Sequence, residues 1–444
     1  MDSGDDNESV ESEERSSLGS FSGVLQLDVA DEDLESIISV AVADNLDMGG
    51  AVVSHNSNHN TDSGEVIFDE GLPASHSYLG RDLEEIGGRL IFTELSRVVI
   101  PLLPGTYGTL LPGQTFPLTV RDHGRTTLLR KCVEGDHTFG CVSARYLSTA
   151  IINKVMFGTT AEIYEFSDDM GTVRIKAKGR QRFRLLSSKT TPSGYRTGEV
   201  LILPEIKLAH PFSALQLTSL NSLRVTNKER CRKMESFMLA WPKWVYDMYD
   251  VDKLVQRCDD LTFLKQGLRK DKVENVMPKD PTELSFWIAS QLDSEKRLFM
   301  LALNSPIPRL RWLLNFLRKC HQFICGTCRA VIGKQTDCFA MSVEGAQGTY
   351  VNPEGYHHDT LTLLKVENVI SISGPSTHFS WFPGYAWSIA VCRHCQKHVG
   401  WHFTSPSSGR KMQPEKFWGL SRQSLETRIC TEENMCSLDD LPVM

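Results

Sequence analysis

The sequence predicts an α+β protein in which a β-rich domain with a helical insertion is followed by a β-sheet domain stapled by zinc. Short strand-like runs broken by Gly and Pro begin near residue 72, and helical periodicity replaces them between about 206 and 318. Two Cys-x-x-Cys pairs then bracket much of the remaining chain. The 444 residues exceed what a single hydrophobic core organises, so we expect more than one domain.

The N-terminal segment differs in composition from the rest of the chain. Residues 1–70 contain eighteen Asp and Glu against one basic residue, Arg15, so their net charge is −17 and that of the rest is +10. Phe21 and Phe68 are the only aromatic residues of this segment. Such a composition offers too little apolar surface to offset the entropy of ordering the chain. We therefore predict a disordered acidic tail over residues 1–71.

The sequence carries no pattern typical of membrane insertion or secretion. No run approaches the roughly 18 consecutive apolar residues of a membrane span, and the acidic N-terminus lacks the basic start of a secretory signal. Twelve cysteines are too few for a disulfide scaffold in a chain of this length, which favours a reducing compartment. We expect an intracellular protein without a membrane span, located in the cytoplasm and the nucleus.

The first domain shows the two-residue period of half-buried antiparallel strands. Between residues 172 and 178, three apolar residues alternate with basic ones. Arg180, Arg182 and Arg184 continue the alternation, and we expect these basic side chains on the solvent-exposed face of the strand. Because the chain has no signature of a known nucleic-acid-binding fold, we expect no direct contact with nucleic acid.

The helical part contains two recognisable helix starts. Asp280 precedes Pro281, and Glu283 follows three residues after the predicted cap, as is typical of a helix N-terminus. A second helix is predicted to start at Pro308. The segment from Trp241 to Tyr249 is unusually aromatic, and we expect it to be either part of the core or an exposed docking surface.

The two Cys-x-x-Cys pairs are Cys325 with Cys328 and Cys392 with Cys395. This pattern predicts one structural Zn²⁺ held by four thiolates, with no open coordination position for catalysis. The 63 residues between the pairs exceed the spacing of a compact zinc ribbon, so the ion would join two distant parts of the domain. The alternative is four ordinary buried thiols. The four sulfurs complete the coordination shell, so we expect the nearby His398 at the surface.

Trp381, Trp387 and Trp401 cluster around the second cysteine pair. A core of packed aromatic residues is the commoner environment of tryptophan. The turn at Pro383 and Gly384 weakens that interpretation, because it places two indoles on either side of a bend. Three indole walls are suited to a flat ring or to a cation.

The first domain resembles the N-terminal substrate-binding domain of Lon proteases. The resemblance is carried by residues 158–163 and 179–183, which follow a segment rich in Pro, Leu and Gly at residues 101–113. It implies a β-rich Lon N-terminal-like domain over about residues 72–318. We expect no proteolytic activity, because the chain has no GxxxxGK[ST] phosphate loop and no recognisable protease domain.

Four motifs of the second domain resemble the cereblon family more specifically. They occupy residues 350–356, 374–377, 380–387 and 416–420. The resemblance implies a zinc-binding CULT domain, a β-tent, over about residues 320–428. Residues 429–444 are then expected to form a loose C-terminus.

The resemblance implies a substrate receptor of a cullin-4 RING E3 ubiquitin ligase. Such a protein is not an enzyme, but it promotes the ubiquitination and proteasomal degradation of the proteins it binds. Its implied partner is the damaged-DNA-binding adaptor protein of the ligase. The helical stretch of about 206–270, including Trp241 and Trp244, is the expected adaptor-binding surface.

The resemblance also implies a pocket for cyclic imides, both on protein substrates and in thalidomide-like drugs. The backbone carbonyl of Phe379 would accept a hydrogen bond from the imide N–H, and the backbone N–H of Trp381 would donate one to a ring carbonyl. Phe379 and Glu354 stand where the family usually has histidines, so we expect the glutarimide ring to bind but a drug's second ring to bind less tightly. The implied ligand-binding residues are Trp381, Trp387, Trp401, Phe403, Phe379, Ser380, Asn352, Tyr356 and His358.

Two other functions would use the same region of the chain. The indoles would form a cage for methylated lysine if the ligand is a cation, with Glu354 as its counter-charge. The β-rich fold with two cysteine pairs is also similar to zinc-containing methionine sulfoxide reductases, which need a reactive thiolate beside the pocket. Cys338 is the candidate thiol for that enzyme, although its sequence neighbours include no residue that would activate it.

Overall fold

The structure is a computed structural model that describes ten stretches of the chain. The predicted tail up to residue 65, Trp241 and residues 430–444 lie outside them. None of the helices in the described part is long and apolar enough to cross a membrane. The described residues are 66–80, 82–88, 90–105, 108–143, 156–209, 221–236, 242–259, 277–319, 321–406 and 412–429.

Residues 66–79 pack against the second domain. Strand β1 (Val66–Ile67) pairs with residues 412–413, and helix α1 (Gly71–Ala74) follows it. Phe68 is 2% exposed, and its ring meets that of Tyr385 edge to face at 5.3 Å. The predicted tail therefore extends too far along the chain at residue 71. Its acidic composition predicted disorder, but the second domain buries the aromatic side chain of Phe68.

The strands of the first domain close into a ring. The strand order is β2-β6-β5-β3-β8-β7-β4, and pairing between β6 and β7 closes five strands on themselves, which leaves the ring without an open edge. β3 and β5 run parallel, whereas the other neighbouring strands run antiparallel. Val173, Ile175 and Ala177 are fully buried, as their alternation predicted. The elements are β2 (Glu84–Glu85), β3 (Arg97–Gly105), β4 (Thr115–Val120), α2 (His123–Val133), β5 (Thr138–Ser143), β6 (Met156–Asp169), β7 (Thr172–Thr190) and β8 (Arg196–Ile202).

A group of helices follows the ring of strands. The helix at Pro281 starts as predicted, since the carboxylate of Asp280 accepts hydrogen bonds from the N–H groups of Thr282 and Glu283 at 2.9 and 3.1 Å. The last helix starts at Pro306 instead of Pro308, because a proline is already favourable in the first turn. The helices are α3 (Asn221–Thr226), α4 (Lys228–Ser236), α5 (Lys243–Asp247), α6 (Val251–Asp259), α7 (Pro281–Ala289), α8 (Ser294–Ala302) and α9 (Pro306–Leu317).

Several basic side chains of β7 are paired with carboxylates. Lys176 contacts Glu165 at 2.6 Å, and Arg182, only 2% exposed, bonds to Glu205 and to the carbonyl oxygen of Leu301 in α8. The expectation that Arg182 lies on a solvent-exposed face is wrong, because the helices cover this end of the strand.

The second domain contains a six-stranded and a three-stranded sheet, both antiparallel. The larger sheet has the order β11-β12-β17-β15-β14-β13, and the smaller has the order β10-β9-β18. With the first domain, they form the β-rich α+β protein that the sequence predicts. The strands are β9 (His321–Cys325), β10 (Val331–Lys334), β11 (Gln347–Val351), β12 (His357–Leu363), β13 (Val369–Ser371), β14 (Ala386–Cys392), β15 (His398–Thr404), β16 (Met412–Gln413), β17 (Lys416–Ser421) and β18 (Leu425–Ile429).

Candidate metal centre and aromatic pocket

The four predicted cysteine ligands come together in the second domain. The Sγ atoms of Cys325 and Cys395 lie 3.6 Å apart, those of Cys328 and Cys392 lie 3.5 Å apart, and all four lie within 4.8 Å of one another. A tetrahedron with metal–sulfur bonds of about 2.3 Å places its sulfurs about 3.8 Å apart. The donor set and its spacing therefore fit one metal ion bound by sulfur alone.

Both cysteine pairs have the same backbone geometry. Cys325 ends β9 and Cys392 ends β14, and the residues that follow the two pairs, Arg329 and Gln396, have left-handed φ angles of 66° and 60°. The N–H of Arg329 donates to the carbonyl of Cys325, and the N–H of Gln396 donates to that of Cys392, both at 2.9 Å. Two tight turns on different sheets thus present their thiols to a common point.

His398 is only partly exposed and packs beside the aromatic residues. Its ring meets that of Trp401 edge to face at 4.9 Å, and burial lowers the pKa of His398 to about 4. The side chain is therefore less exposed than the predicted surface histidine, because the register of β14 and β15 shifts by one residue near Gly400. An extra residue in one strand reverses which face the next side chain occupies.

The strand register places the predicted pocket residues on one face of the larger sheet. Trp387 on β14 is opposite Phe403 on β15, and Trp401 follows two residues away on the same face. The register continues through Gly419 on β17 to the face of β12 that carries His358. A Cβ atom at Gly419 would lie 2.7 Å from the ring of Phe403, so this strand position leaves room only for a glycine.

A loop of residues 376–387, here called the tryptophan loop, completes this face. Ser376 and Trp387 exchange two backbone hydrogen bonds of 2.9 and 2.7 Å that close the loop. The indole Nε1 of Trp387 donates to the carbonyl of His378 at 2.7 Å, and that of Trp381 donates to the carbonyl of Val351 at 3.3 Å. Because the protein satisfies both indole N–H groups, these side chains present their apolar faces to their surroundings.

The aromatic rings of this face stand at steep angles to one another. Those of Trp381 and Trp401 lie 4.6 Å apart at 70°, and the ring of His358 lies 5.5 and 5.0 Å from them. Burial lowers the pKa of His358 to about 3, so its ring is neutral at physiological pH. Tyr350 stacks on Trp381 at 5.2 Å and 11°, which holds that indole in place. Uncharged walls at such angles are suited to a flat, uncharged guest.

Phe379 has an unusual backbone conformation for a bulky residue. Its φ is 51°, in the left-handed region, and its side chain is 41% exposed. Such strain is often found at functional sites. In the described part of the chain, no backbone hydrogen bond uses the carbonyl of Phe379 or the N–H of Trp381. The hydroxyl of the intervening Ser380 donates to the carbonyl of Phe382 at 3.0 Å.

The turn between β11 and β12 carries two more of the predicted residues. The side chain of Asn352 accepts a hydrogen bond from the N–H of Tyr356 at 2.8 Å, and Tyr356 is 39% exposed. Gly355 has a φ of 90°, and a Cβ atom there would lie 2.4 Å from the carbonyl oxygen of Thr119 in the first domain. The turn therefore needs glycine both for its shape and for its approach to the first domain. Glu354 on the same turn is exposed.

The candidate thiol of the reductase hypothesis lies in the interior. Cys338 is 7% exposed, and burial raises its pKa to about 12. A thiol with so high a pKa is protonated at neutral pH and is a poor nucleophile. The geometry gives the enzyme hypothesis no support.

Aromatic residues of the N-terminal segment support the pocket, and the sequence analysis missed them. The hydroxyl of Tyr78 accepts a hydrogen bond from the N–H of Val351 at 3.2 Å and contacts Nδ1 of His76 at 3.0 Å. Val351 in turn binds the indole of Trp381. Phe68 lies in a strongly acidic segment and Tyr78 lies just after it. Aromatic residues at such positions were the signal in the sequence that could have indicated this contact.

The predicted adaptor-binding residues are only partly described. Trp244 lies on α5 and is 65% exposed, whereas Trp241 lies outside the described residues. Tyr249 is 45% exposed, and the guanidinium of Arg311 lies 4.5 Å from the centre of its ring. The described part of this aromatic segment therefore lies at the surface, and Trp244 is not a core residue.

Two family models match the chain. The model for the ATP-dependent protease La (LON) substrate-binding domain covers residues 99–319, and the model for Yippee zinc-binding/DNA-binding/Mis18, centromere assembly, covers residues 321–437. The solved N-terminal domain of a Mycobacterium avium complex Lon protease is 17% identical, and the match covers 50% of this chain and 98% of that one. Its TM-score of 0.30 is too low to support an argument.

Curated relatives match most of the chain. Protein cereblon of Gallus gallus is 36% identical over 85% of this chain and 89% of the relative. The proteins of the same name from Xenopus tropicalis and Danio rerio are 37% and 38% identical, over 82% and 81% of this chain and 86% and 88% of theirs. With the four-cysteine cluster and the succession of domains, these similarities show that the chain belongs to the cereblon family.

Proposed function

We propose that this protein is the substrate receptor of a cullin-4 RING E3 ubiquitin ligase and recruits targets that carry a cyclic imide. The observation that carries this proposal is the set of steeply angled indoles in the same domain as a four-sulfur site, in a chain of the cereblon family. The protein transfers no ubiquitin itself. It acts in the cytoplasm and nucleus by holding targets for ubiquitination and degradation.

The pocket would select its ligand by shape and by backbone hydrogen bonding. The rings of Trp381, Trp387 and Trp401 enclose the flat glutarimide ring, with Phe403 behind them. The carbonyl of Phe379 accepts from the imide N–H, and the N–H of Trp381 donates to a ring carbonyl. A charged guest is disfavoured, because burial keeps the neighbouring His358 neutral and the indole walls carry no charge.

One zinc ion held by the four cysteines would have a structural role. It joins the ends of β9 and β14, and β14 begins at Ala386, next to the tryptophan loop's closing residue, Trp387. The ion thereby fixes the strand on which the pocket depends. Four thiolate ligands leave no position for a substrate, so the metal supplies no catalytic chemistry.

Calorimetric titration of the full chain with glutarimide tests the pocket. We expect saturable binding that Trp401→Ala abolishes. Trp418→Ala is the matched control, because Trp418 stacks on His402 on the opposite face of the sheet. Failure of glutarimide to bind would overturn the proposal, and binding of a methylated-lysine peptide that Glu354→Gln removes would favour the reader function instead.

Co-purification with the damaged-DNA-binding adaptor protein tests the proposed adaptor-binding surface on α5. We expect Trp244→Ala to weaken the complex, because an exposed indole is a common centre of binding energy at interfaces. Phe299→Ala is the matched control, since Phe299 is also exposed but lies on α8. Equal recovery of the adaptor with both variants would remove α5 from the proposed interface.

A further inference from the structure

A cavity of about 60 Å³ lies where the helices of the first domain meet the second domain. Leu292 and Phe316 form its wall on the helical side, and Phe323 and Leu361 form its wall on the other. Allowing about 12 Å³ for each water, this space holds a few water molecules or one small organic molecule. The cavity is separate from the aromatic pocket and uses none of the pocket residues.

The guanidinium of Arg422 lines this cavity and is incompletely bonded. Arg422 is 8% exposed, and one of its terminal nitrogens donates to the hydroxyl of Thr427 at 3.0 Å. Among the described residues, neither its Nε nor its other terminal nitrogen has a hydrogen-bond partner. A buried guanidinium with unsatisfied N–H groups is costly unless an acceptor meets them, and a carboxylate is an acceptor that also carries the opposite charge.

The charges around the cavity leave one cation in excess. The carboxylate of Asp293 lies 3.9 Å from Arg422 but is already bonded by Lys296, and Asp359 is paired with Arg297. Two further charged groups act on side chains that line the cavity, Lys319 on His321 and Asp337 on Cys338, and their charges are opposite. With four cations against three carboxylates, this group carries one net positive charge, which suits a ligand with a single negative charge.

His321 also lines the cavity but adds no positive charge. Its Nε2 lies 2.8 Å from the carbonyl oxygen of Phe316, which fixes the proton on that nitrogen because a carbonyl only accepts. Burial, together with nearby cations, lowers the pKa of His321. A neutral imidazole and apolar walls make the cavity a poor site for a divalent anion such as phosphate.

We propose that this cavity binds a small monocarboxylate, with the carboxylate accepting a hydrogen bond from an unbonded nitrogen of Arg422 and a short hydrocarbon part between Phe316 and Leu361. The apolar walls favour an organic acid over an inorganic anion of the same charge. Because the walls come from both domains, the bound acid contacts both and stabilises their association. This site does not depend on the proposed ligase function.

Thermal unfolding of the full chain with propionate tests the proposal. We expect propionate to raise the unfolding temperature in a saturable manner, as a ligand of the folded state does. Propionamide, which has the same shape without the charge, and sodium chloride at equal ionic strength should raise it much less. If propionamide or the salt raised the unfolding temperature as much as propionate does, the proposal would be overturned. This comparison needs no variant of the protein.

Nuclear magnetic resonance titration of variants locates the site. Arg422→Gln should weaken propionate binding by about tenfold or more, because it removes a charge-assisted pair. Arg428→Gln is the matched control, since Arg428 is a nearby arginine that bonds to Gln322 and does not line the cavity. Circular dichroism establishes that both variants fold. Undiminished binding to Arg422→Gln would show that the acid binds elsewhere or that the cavity holds water alone.

Discussion

The guanidinium of Arg297 on α8 lies 3.4 Å from the carboxylate of Asp359 on β12, which joins the two domains through a buried ion pair. The two side chains are 1% and 5% exposed. The hydroxyl of Thr349 donates to the other oxygen of the same carboxylate at 2.6 Å. The preceding residue, His358, contacts Trp381 and Trp401, so the strand that carries this contact is attached to the first domain.

Breaking this ion pair should destabilise the protein markedly. We expect Asp359→Ala to lower the free energy of unfolding by roughly 3–5 kcal/mol, because it leaves a buried guanidinium without its counter-charge. Denaturant unfolding measures the change. Glu426→Ala is the control, because its exposed pair with Arg329 contributes less than about 1 kcal/mol. A similar small loss for both variants would show that water already reaches Arg297.

Removal of the metal should unfold the second domain. A structural zinc site contributes on the order of 10 kcal/mol, so we expect chelation or Cys392→Ser to abolish the cooperative unfolding of residues 321–429. Circular dichroism, together with metal analysis of the purified protein, measures this. Cys338→Ser is the matched control, because Cys338 is buried but is not in the cluster. Zinc-free protein that still unfolds cooperatively would rule out the structural role.

Replacement of Phe379 by histidine should affect only the second ring of a drug. We expect Phe379→His to strengthen binding of a phthalimide-bearing imide by up to about tenfold, the contribution of one added hydrogen bond. The affinity for glutarimide alone should not change, because the backbone carbonyl of residue 379 is retained. Parallel titrations of both compounds make the comparison. A gain that is equal for both would place the effect in the backbone conformation at φ 51° instead.

Buried histidines should make the protein less stable in mild acid. Burial lowers the pKa of His76 and His358 to about 3 and that of His357 and His398 to about 4, from 6.5 in the unfolded chain. The unfolded chain therefore binds more protons below pH 6.5, and stability falls as the pH drops from there towards about 4. Each histidine contributes up to about 1.4 kcal/mol per pH unit in this window.

Denaturant unfolding at a series of pH values checks this dependence. His398→Asn removes one titrating group, so the stability of this variant should fall less steeply than that of the wild type between pH 6.5 and 4. His394→Asn is the control, because His394 is exposed. Equal slopes for all three proteins would mean that His398 is accessible to protons in the folded state.

Much of the candidate site followed from local patterns in the sequence. The spacing of Cys325, Cys328, Cys392 and Cys395 predicted their convergence, because two Cys-x-x-Cys turns each present a pair of thiols to one point. The cap at Asp280 also appeared where expected, since it depends only on neighbouring residues. In both cases the interaction is encoded within a few positions.

The sequence by itself determined the succession of domains, the cysteine cluster and the family. Only the tertiary structure decided that Phe68 belongs to the second domain's core, that Arg182 is buried, that His398 packs against Trp401, and that Arg422 faces a cavity between domains. Each of these depends on partners distant in the chain, such as Tyr385 for Phe68. Local periodicity predicts which way a side chain points from its own strand or helix, but it does not predict which distant segment packs against that side chain.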